Sequence, residues 1–169
     1  MYEVLKYIAM SFAVVLLQLF FVDTLNLGLF VNPLLYVSLI VLLPMNMPPI
    51  AVLFSGFCLG VVMDVSTGMG GACTAATLLT AYLRSYLLDL IMGKEVAAGG
   101  GMPSFDNPST GKFLRYVAAA VSVQCIAFFS LETMTLSFFH LTLLRIVLSG
   151  AATFICVIVV TLLFSRKKY

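Results

Sequence analysis

The chain alternates between long apolar runs and short polar segments, and this pattern constrains its fold more than any motif. The apolar runs are residues 5–22, 29–43, 50–64, 72–92, 113–131 and 141–164. A helix needs about 20 apolar residues to cross the hydrocarbon core of a bilayer, and most of these runs approach that length. Only 9% of the 169 residues are charged, where soluble domains carry about 25%. We therefore predict an all-α integral membrane protein, a bundle of six transmembrane helices forming one polytopic domain over residues 1–169.

The first two runs allow more than one interpretation. Residues 7–22 follow Lys6 and could be taken for a signal peptide, but no small-residue cleavage site follows them. We predict a retained first helix. In the second run, Asn32 and Pro33 have the order of an N-cap and a first-turn residue. The second helix is therefore either kinked at Pro33 or short and tilted within the bundle.

Basic residues between the runs or at their ends fall on one side of a six-helix bundle. They are Lys6, Lys94, Lys112, Arg115, Arg166, Lys167 and Lys168. Cytoplasmic loops of membrane proteins are enriched in Lys and Arg, so both termini are predicted to be cytoplasmic. The segment 93–112 is rich in glycine and proline, and we predict a mobile cytoplasmic loop there.

Several functional classes are disfavoured by composition. A net charge of +2 without an arginine-rich stretch argues against nucleic-acid binding. The four cysteines lie in apolar runs without a C-x-x-C pair, and the chain has one histidine, so we predict neither a metal nor another cofactor. No nucleophile, histidine and acid can be grouped into a catalytic set, and we predict a protein that is not an enzyme.

The most informative local stretch is residues 56–71. Gly56, Gly60 and Asp64 are spaced by four and share one helical face, where glycines allow a neighbouring helix to approach closely. These residues are predicted to serve helix packing or partner docking. Two interpretations of Asp64 stay open: it pairs within the membrane, or it caps the turn at the membrane surface.

Arg145 lies about one turn into the sixth run, at a depth similar to that of Asp64. Ser149 and Ala152 follow it at helical spacing and form another small-residue face for packing or docking. We expect an ion pair between Asp64 and Arg145, because each would offset the desolvation of the other. The alternative is that Arg145 reaches outward to water or lipid headgroups.

Arg84 lies about 12 Å inside the cytoplasmic end of the fourth run, and Gln124 in the fifth run has a comparable depth. We predict a polar contact between them that holds the bundle together, in preference to a transport relay. Asp23, Glu132 and His140 are predicted at the outer rim with Arg145, as a substrate mouth or as interfacial charges.

The chain resembles the rod-shape-determining MreD family. The resemblance is carried by Asn32 and Pro33, by Pro44 after the second run, and by the segment 56–71 with its glycines and Asp64. It implies a non-enzymatic scaffold of the bacterial inner membrane, with six helices and both termini inside. It also implies binding to the single-span protein MreC, and a link between MreB filaments and the RodA glycosyltransferase with its class B transpeptidase.

A second resemblance supplies the alternative function. The MreD family is thought to resemble the substrate-binding subunits of energy-coupling-factor vitamin transporters, which also have six helices. Those subunits dock their membrane partner through an Ala-x-x-x-Ala face, and Ala9 and Ala13 have that spacing. The short outer loops without tryptophan leave few aromatic walls for a vitamin, which weighs against this alternative.

Overall fold

The computed structural model describes residues 14–16, 18, 20, 34–45, 47–68, 70–94, 110–133 and 139–165. Within these residues all regular structure is helical, which confirms the all-α prediction. The helices are α1 (Val37–Val41), α2 (Pro49–Thr67), α3 (Ala72–Ile91), α4 (Thr110–Thr133) and α5 (Phe139–Ser165). The described residues between 14 and 20 are also helical. Most of the predicted loop at 93–112 and the first part of the second run lie outside the described residues.

Among the described residues, three helices are long and apolar enough to cross a membrane: the spans Pro49–Thr67 in α2, Thr110–Glu132 in α4 and Leu144–Leu162 in α5. They identify the chain as a membrane protein. α3 is also 20 residues long but less apolar, because it carries Arg84, Asp89 and three threonines.

Proline and glycine set the limits of α2. Pro48 and Pro49 begin the helix, where a missing backbone N–H costs nothing because the first turn has no acceptor for it. Gly68 ends the helix with a left-handed φ of +68°, a conformation that glycine adopts without a steric penalty. The helix therefore continues nearly one turn beyond the predicted end at residue 64.

The long helices pack in chain order, α2 on α3, α3 on α4 and α4 on α5, while α1 contacts all four of them. Residues 34–42 are all buried, so the short helix and the chain around it form the centre of the bundle. The largest fully buried side chains include Tyr36 beside α1, and Tyr116, Phe113, Phe128 and Phe129 on α4.

α1 is shorter than expected in the described part of the second run, because it contains five residues and ends at Val41. Residues 29–33 lie outside the described part, so a kink at Pro33 and a short, tilted helix both remain predictions. A five-residue helix has almost no intrinsic stability, since nucleation alone is unfavourable. Its surroundings must therefore supply the hydrogen bonds that its own length does not.

Candidate functional site

The centre of the bundle is a polar cradle around α1, in which side chains from surrounding helices bond to the backbone before and after it. Leu34 donates its N–H to the Thr153 hydroxyl at 3.0 Å. Leu35 donates its N–H to the Gln18 side-chain oxygen at 2.6 Å. Both acceptors are buried, and Thr153 lies at the middle of α5. The backbone that leads into α1 is thus satisfied inside the bundle, as any buried backbone must be.

A second set of contacts joins the cradle to α3 and α4. The Thr80 hydroxyl donates to the Gln124 side-chain oxygen at 2.6 Å. The Gln124 amide nitrogen donates to the Tyr36 hydroxyl at 3.1 Å. All three side chains are buried, so the chain of bonds fixes the rotation of α3 and α4 around the start of α1.

The exit from α1 is bound by Tyr116 and Arg84. The Tyr116 hydroxyl donates to the Val41 carbonyl at 3.2 Å. Arg84 donates through one terminal nitrogen to the Leu43 carbonyl and, at 3.3 Å, to the Pro44 carbonyl. Leu43 and Pro44 follow the C-cap residue Leu42, so these carbonyls belong to the turn that leaves the helix. Arg84 therefore binds the chain just after α1 from another helix.

This placement corrects the predicted contact between Arg84 and Gln124. Gln124 is bonded to Thr80 and Tyr36, whereas Arg84 reaches the backbone at Leu43 and Pro44. Arg84 is only 2% exposed, as its depth indicated. The sequence suggested a side-chain partner, whereas the acceptors are backbone carbonyls of the turn after α1.

Asp64 lies over the start of α3 and holds α2 and α3 together. Its two carboxylate oxygens accept the backbone N–H of Cys73 at 2.9 Å and that of Thr74 at 2.8 Å. The Thr74 hydroxyl also donates to the carboxylate. A carboxylate at the N-terminus of a helix satisfies N–H groups that lack intrahelical acceptors and opposes the helix dipole.

The predicted ion pair between Asp64 and Arg145 is therefore wrong. Asp64 is bonded to α3, and Arg145 lies 3.8 Å from the Glu132 carboxylate on α4. Both members of this second pair are about one quarter exposed. The capping interpretation of Asp64, which the sequence had left open, matches the contacts. Asp23 and the side chain of His140, predicted to share this rim, lie outside the described residues.

The glycines of α2 form the close contact with α3. A Cβ placed on Gly60 would lie 2.5 Å from the Cα of Thr74, and one on Gly56 would lie 3.0 Å from the Cβ of Ala81. Both glycines are buried. They serve internal packing, so this stripe does not face a partner.

The second small-residue face also contributes to the interior. Ser149 is buried and its carbonyl accepts from Thr153 at 2.7 Å, while Ala152 is half-buried. A Cβ placed on Gly150 would have the Cys125 sulfur of α4 as its nearest neighbour, 3.8 Å away. Part of this face thus turns toward α4 and the start of α1.

Sequence reasoning missed most of the cradle, namely Gln18, Tyr36, Thr80, Tyr116 and Thr153. Each is a polar residue inside an apolar run, and that alone is a usable signal, because such residues rarely face lipid. What the sequence does not contain is the identity of the acceptor, since these side chains bond largely to backbone.

The chain was compared with known proteins at three levels. No protein-family model matches it, and neither a curated protein nor a solved structure is significantly similar to it. Its function must therefore be argued from the residues and their arrangement.

Proposed function

We propose that this chain is a non-enzymatic membrane scaffold of the bacterial cell-elongation complex, of the MreD kind. In this role it helps determine cell shape by linking MreC and the cytoskeleton to peptidoglycan synthases. The proposal rests first on the resemblance between residues 32 and 71, and on the part that the described members of this segment play in the fold.

The observation that carries the proposal is that these residues hold together the centre of the molecule. Pro44 offers its carbonyl to Arg84 just after α1. Gly56 and Gly60 bring α2 against α3, and Asp64 caps α3. A scaffold must keep a fixed shape while partners bind its outer surface, and these contacts favour such rigidity.

The use of polar groups points the same way. In the described part of the bundle, Gln18, Thr153, Tyr116 and Arg84 are bonded to the chain's own backbone. A substrate-binding subunit needs convergent polar groups that remain available to a ligand. The Nε of Arg84 is buried without a hydrogen-bond partner among the described residues, but the groups that bond to the backbone are no longer available to a ligand. Their commitment to the cradle favours the scaffold over the vitamin-transport alternative.

We further propose six transmembrane helices, with both termini in the cytoplasm of a bacterial inner membrane. The run at 5–22 would supply the first, residues 29–43 the second through α1 and the chain before it, and α2 to α5 the other four. In this topology α3 crosses the membrane although it is less apolar, because its polar residues Arg84, Thr77 and Thr80 are buried inside the bundle.

The partners follow from the proposed role. A single-span protein of the MreC kind would bind the outer helix faces. Three further partners would bind this chain either directly or through MreC: a RodA-type glycosyltransferase, its class B transpeptidase and MreB-like filaments. The small-residue faces of α2 and α5 are largely used inside the bundle, so docking falls to faces that the sequence did not single out.

The test is to purify the tagged full chain from its native membranes in a mild detergent and to identify co-purifying proteins by mass spectrometry. An unrelated multi-span protein with the same tag, expressed to the same level, is the control. Enrichment of a single-span coiled-coil protein with cell-wall synthases is the expected result. Recovery of paired ATPases and a coupling membrane subunit would overturn the scaffold in favour of the vitamin transporter.

A further inference from the structure

The bundle has one end at which exposed positive charge collects. α3 and α4 are antiparallel, since Thr80 bonds to Gln124 and the α3 residue one turn further on, Arg84, lies beside Tyr116. The last residues of α3 and the first turns of α4 therefore lie at the same end. We call this the basic end, defined by the exposed side chains of Lys94, Lys112 and Arg115.

The described part of the basic end carries these three cations and one acid, Asp89, while Glu95 and Asp106 lie outside the described residues. The ion pair that the described residues contain joins Arg145 to Glu132, at the opposite end of α4. Asp89 is an exposed acid near the basic end, but among the described residues it forms no ion pair with these cations. At the opposite end Asp64 is bonded to helix α3. Among the described charged side chains, positive charge therefore prevails at the basic end, with three cations against Asp89.

Exposed aromatic residues lie on α3 about two to three turns before Lys94, on the side of the basic end that faces the middle of the bundle. Tyr82 and Tyr86 are exposed on α3 with ring centroids 5.9 Å apart. The glycine contacts pair Gly60 with Thr74 and Gly56 with Ala81, and the same antiparallel register brings Pro49, where α2 begins, near Tyr86. These rings give the surface next to the basic end an apolar body with a polar hydroxyl, which suits the acyl-chain side of a lipid.

Apolar surface adjoins the same charges. Leu90 is 82% exposed in the last turn of α3, beyond the tyrosine pair. A soluble acidic protein would leave this leucine in contact with water or require a matching apolar surface. A phospholipid offers both components at once, an anionic headgroup for the cations and acyl chains for Leu90 and the tyrosine rings.

We propose that the basic end is a binding surface for anionic phospholipid headgroups, with Lys94, Lys112 and Arg115 as the phosphate-contacting side chains. The inference does not depend on the scaffold function. The enrichment of Lys and Arg in cytoplasmic loops describes how a chain is oriented during insertion. The proposed binding surface instead selects lipids around the folded protein.

The test uses the purified full chain in bilayers of phosphatidylcholine that contain trace spin-labelled phosphatidylglycerol or spin-labelled phosphatidylcholine. Electron paramagnetic resonance gives the fraction of each label immobilised at the protein surface. Both leaflets have the same composition, so the orientation of the protein does not affect the result. We expect phosphatidylglycerol to be immobilised several-fold more strongly by the wild-type chain, and about 1 M salt to remove most of the difference.

The variant is K94Q/K112Q/R115Q, and Arg145→Gln at the opposite end of the bundle is the matched control. The triple variant should bring the preference for phosphatidylglycerol to a ratio of about one, whereas Arg145→Gln should leave it unchanged. The three single variants, each at an exposed position, replace the triple variant should that fail to fold. A wild-type chain without lipid preference, an equal loss in the Arg145→Gln control, or a preference retained when the three cations are removed would overturn the proposal.

Discussion

At the scale of single residues, two charged side chains bind mainly to backbone. Asp64 accepts from the first turn of α3, and Arg84 donates to the chain that leaves α1. Asp64 supplies acceptors that the start of α3 lacks, and Arg84 supplies a donor to the turn after α1. Backbone partners have no side-chain signature in the sequence, which is why the sequence predicted the depth of Arg84 and a capping option for Asp64, but also predicted two incorrect side-chain contacts.

Replacing Asp64 tests the cap on α3. Asp64→Ala should lower the free energy of unfolding by about 2 kcal/mol, because two backbone N–H groups lose a charged acceptor. Asp64→Asn should cost less, since it retains one acceptor oxygen. Thermal unfolding of the purified protein in detergent measures both. Ser66→Ala is the control, because the exposed Ser66 hydroxyl bonds within its own helix to the Val62 carbonyl. Equal stability of Asp64→Ala and Ser66→Ala would contradict the assignment.

Replacing Arg84 tests its contact with the turn after α1. Arg84→Gln should destabilise the protein by roughly 2–3 kcal/mol, since the Leu43 and Pro44 carbonyls lose their charged donor. Arg84→Lys should not restore full stability, because an ammonium lacks the planar fork of a guanidinium. The readout is the denaturation midpoint in detergent. Arg115→Gln, at an exposed cation on α4, is the matched control, and a comparable loss there would show that charge alone is responsible.

At the scale of helices, the lengths of the long apolar helices could be predicted from the sequence, and the length of α1 could not. The predicted run at 113–131 became α4 over Thr110–Thr133, and that at 141–164 became α5 over Phe139–Ser165. Long apolar helices are evident from composition. α1 is not, because its five residues are helical through contacts with Gln18, Tyr116, Arg84 and Thr153 rather than through their own pattern.

The α2–α3 contact gives a graded prediction. Gly60→Ala should destabilise more than Gly56→Ala, because the new methyl group at Gly60 would meet backbone at 2.5 Å and that at Gly56 would meet a side chain at 3.0 Å. Overpacking of this kind costs about 1–3 kcal/mol. Gly150→Ala is a helical control whose new methyl group would have only an ordinary contact at 3.8 Å. Unfolding midpoints should fall in the order Gly150, Gly56, Gly60, and a reversed order would contradict the packing.

At the scale of the whole molecule, the bundle is built around a short helix that the surrounding long helices hold in place. Membrane character and the all-helical class were readable from composition. The central position of α1 could not be read from composition. An apolar run can form either a helix that spans the membrane facing lipid or a shorter helix buried in the bundle.

The proposed six-span topology predicts where added domains will fold. A reporter that fluoresces only in the cytoplasm should be active when fused after Tyr169 or within the segment 95–109, and inactive within the turn at 68–71. A periplasmic phosphatase fused at the same positions should give the opposite pattern. A fluorescent reporter that is active both at the turn 68–71 and after Tyr169 would contradict six spans.

Amide hydrogen exchange of residues 34–43 in lipid nanodiscs, read by mass spectrometry, tests whether α1 is the fixed centre of the bundle. The contacts predict protection comparable to that of α2 and α4, because side chains bind the backbone on both sides of α1. An Arg84→Gln, Tyr116→Phe double variant should lose protection mainly at residues 41–43, whereas Tyr82→Phe should not. Exchange in the wild-type chain as rapid as that of an exposed loop would contradict a central, bound α1.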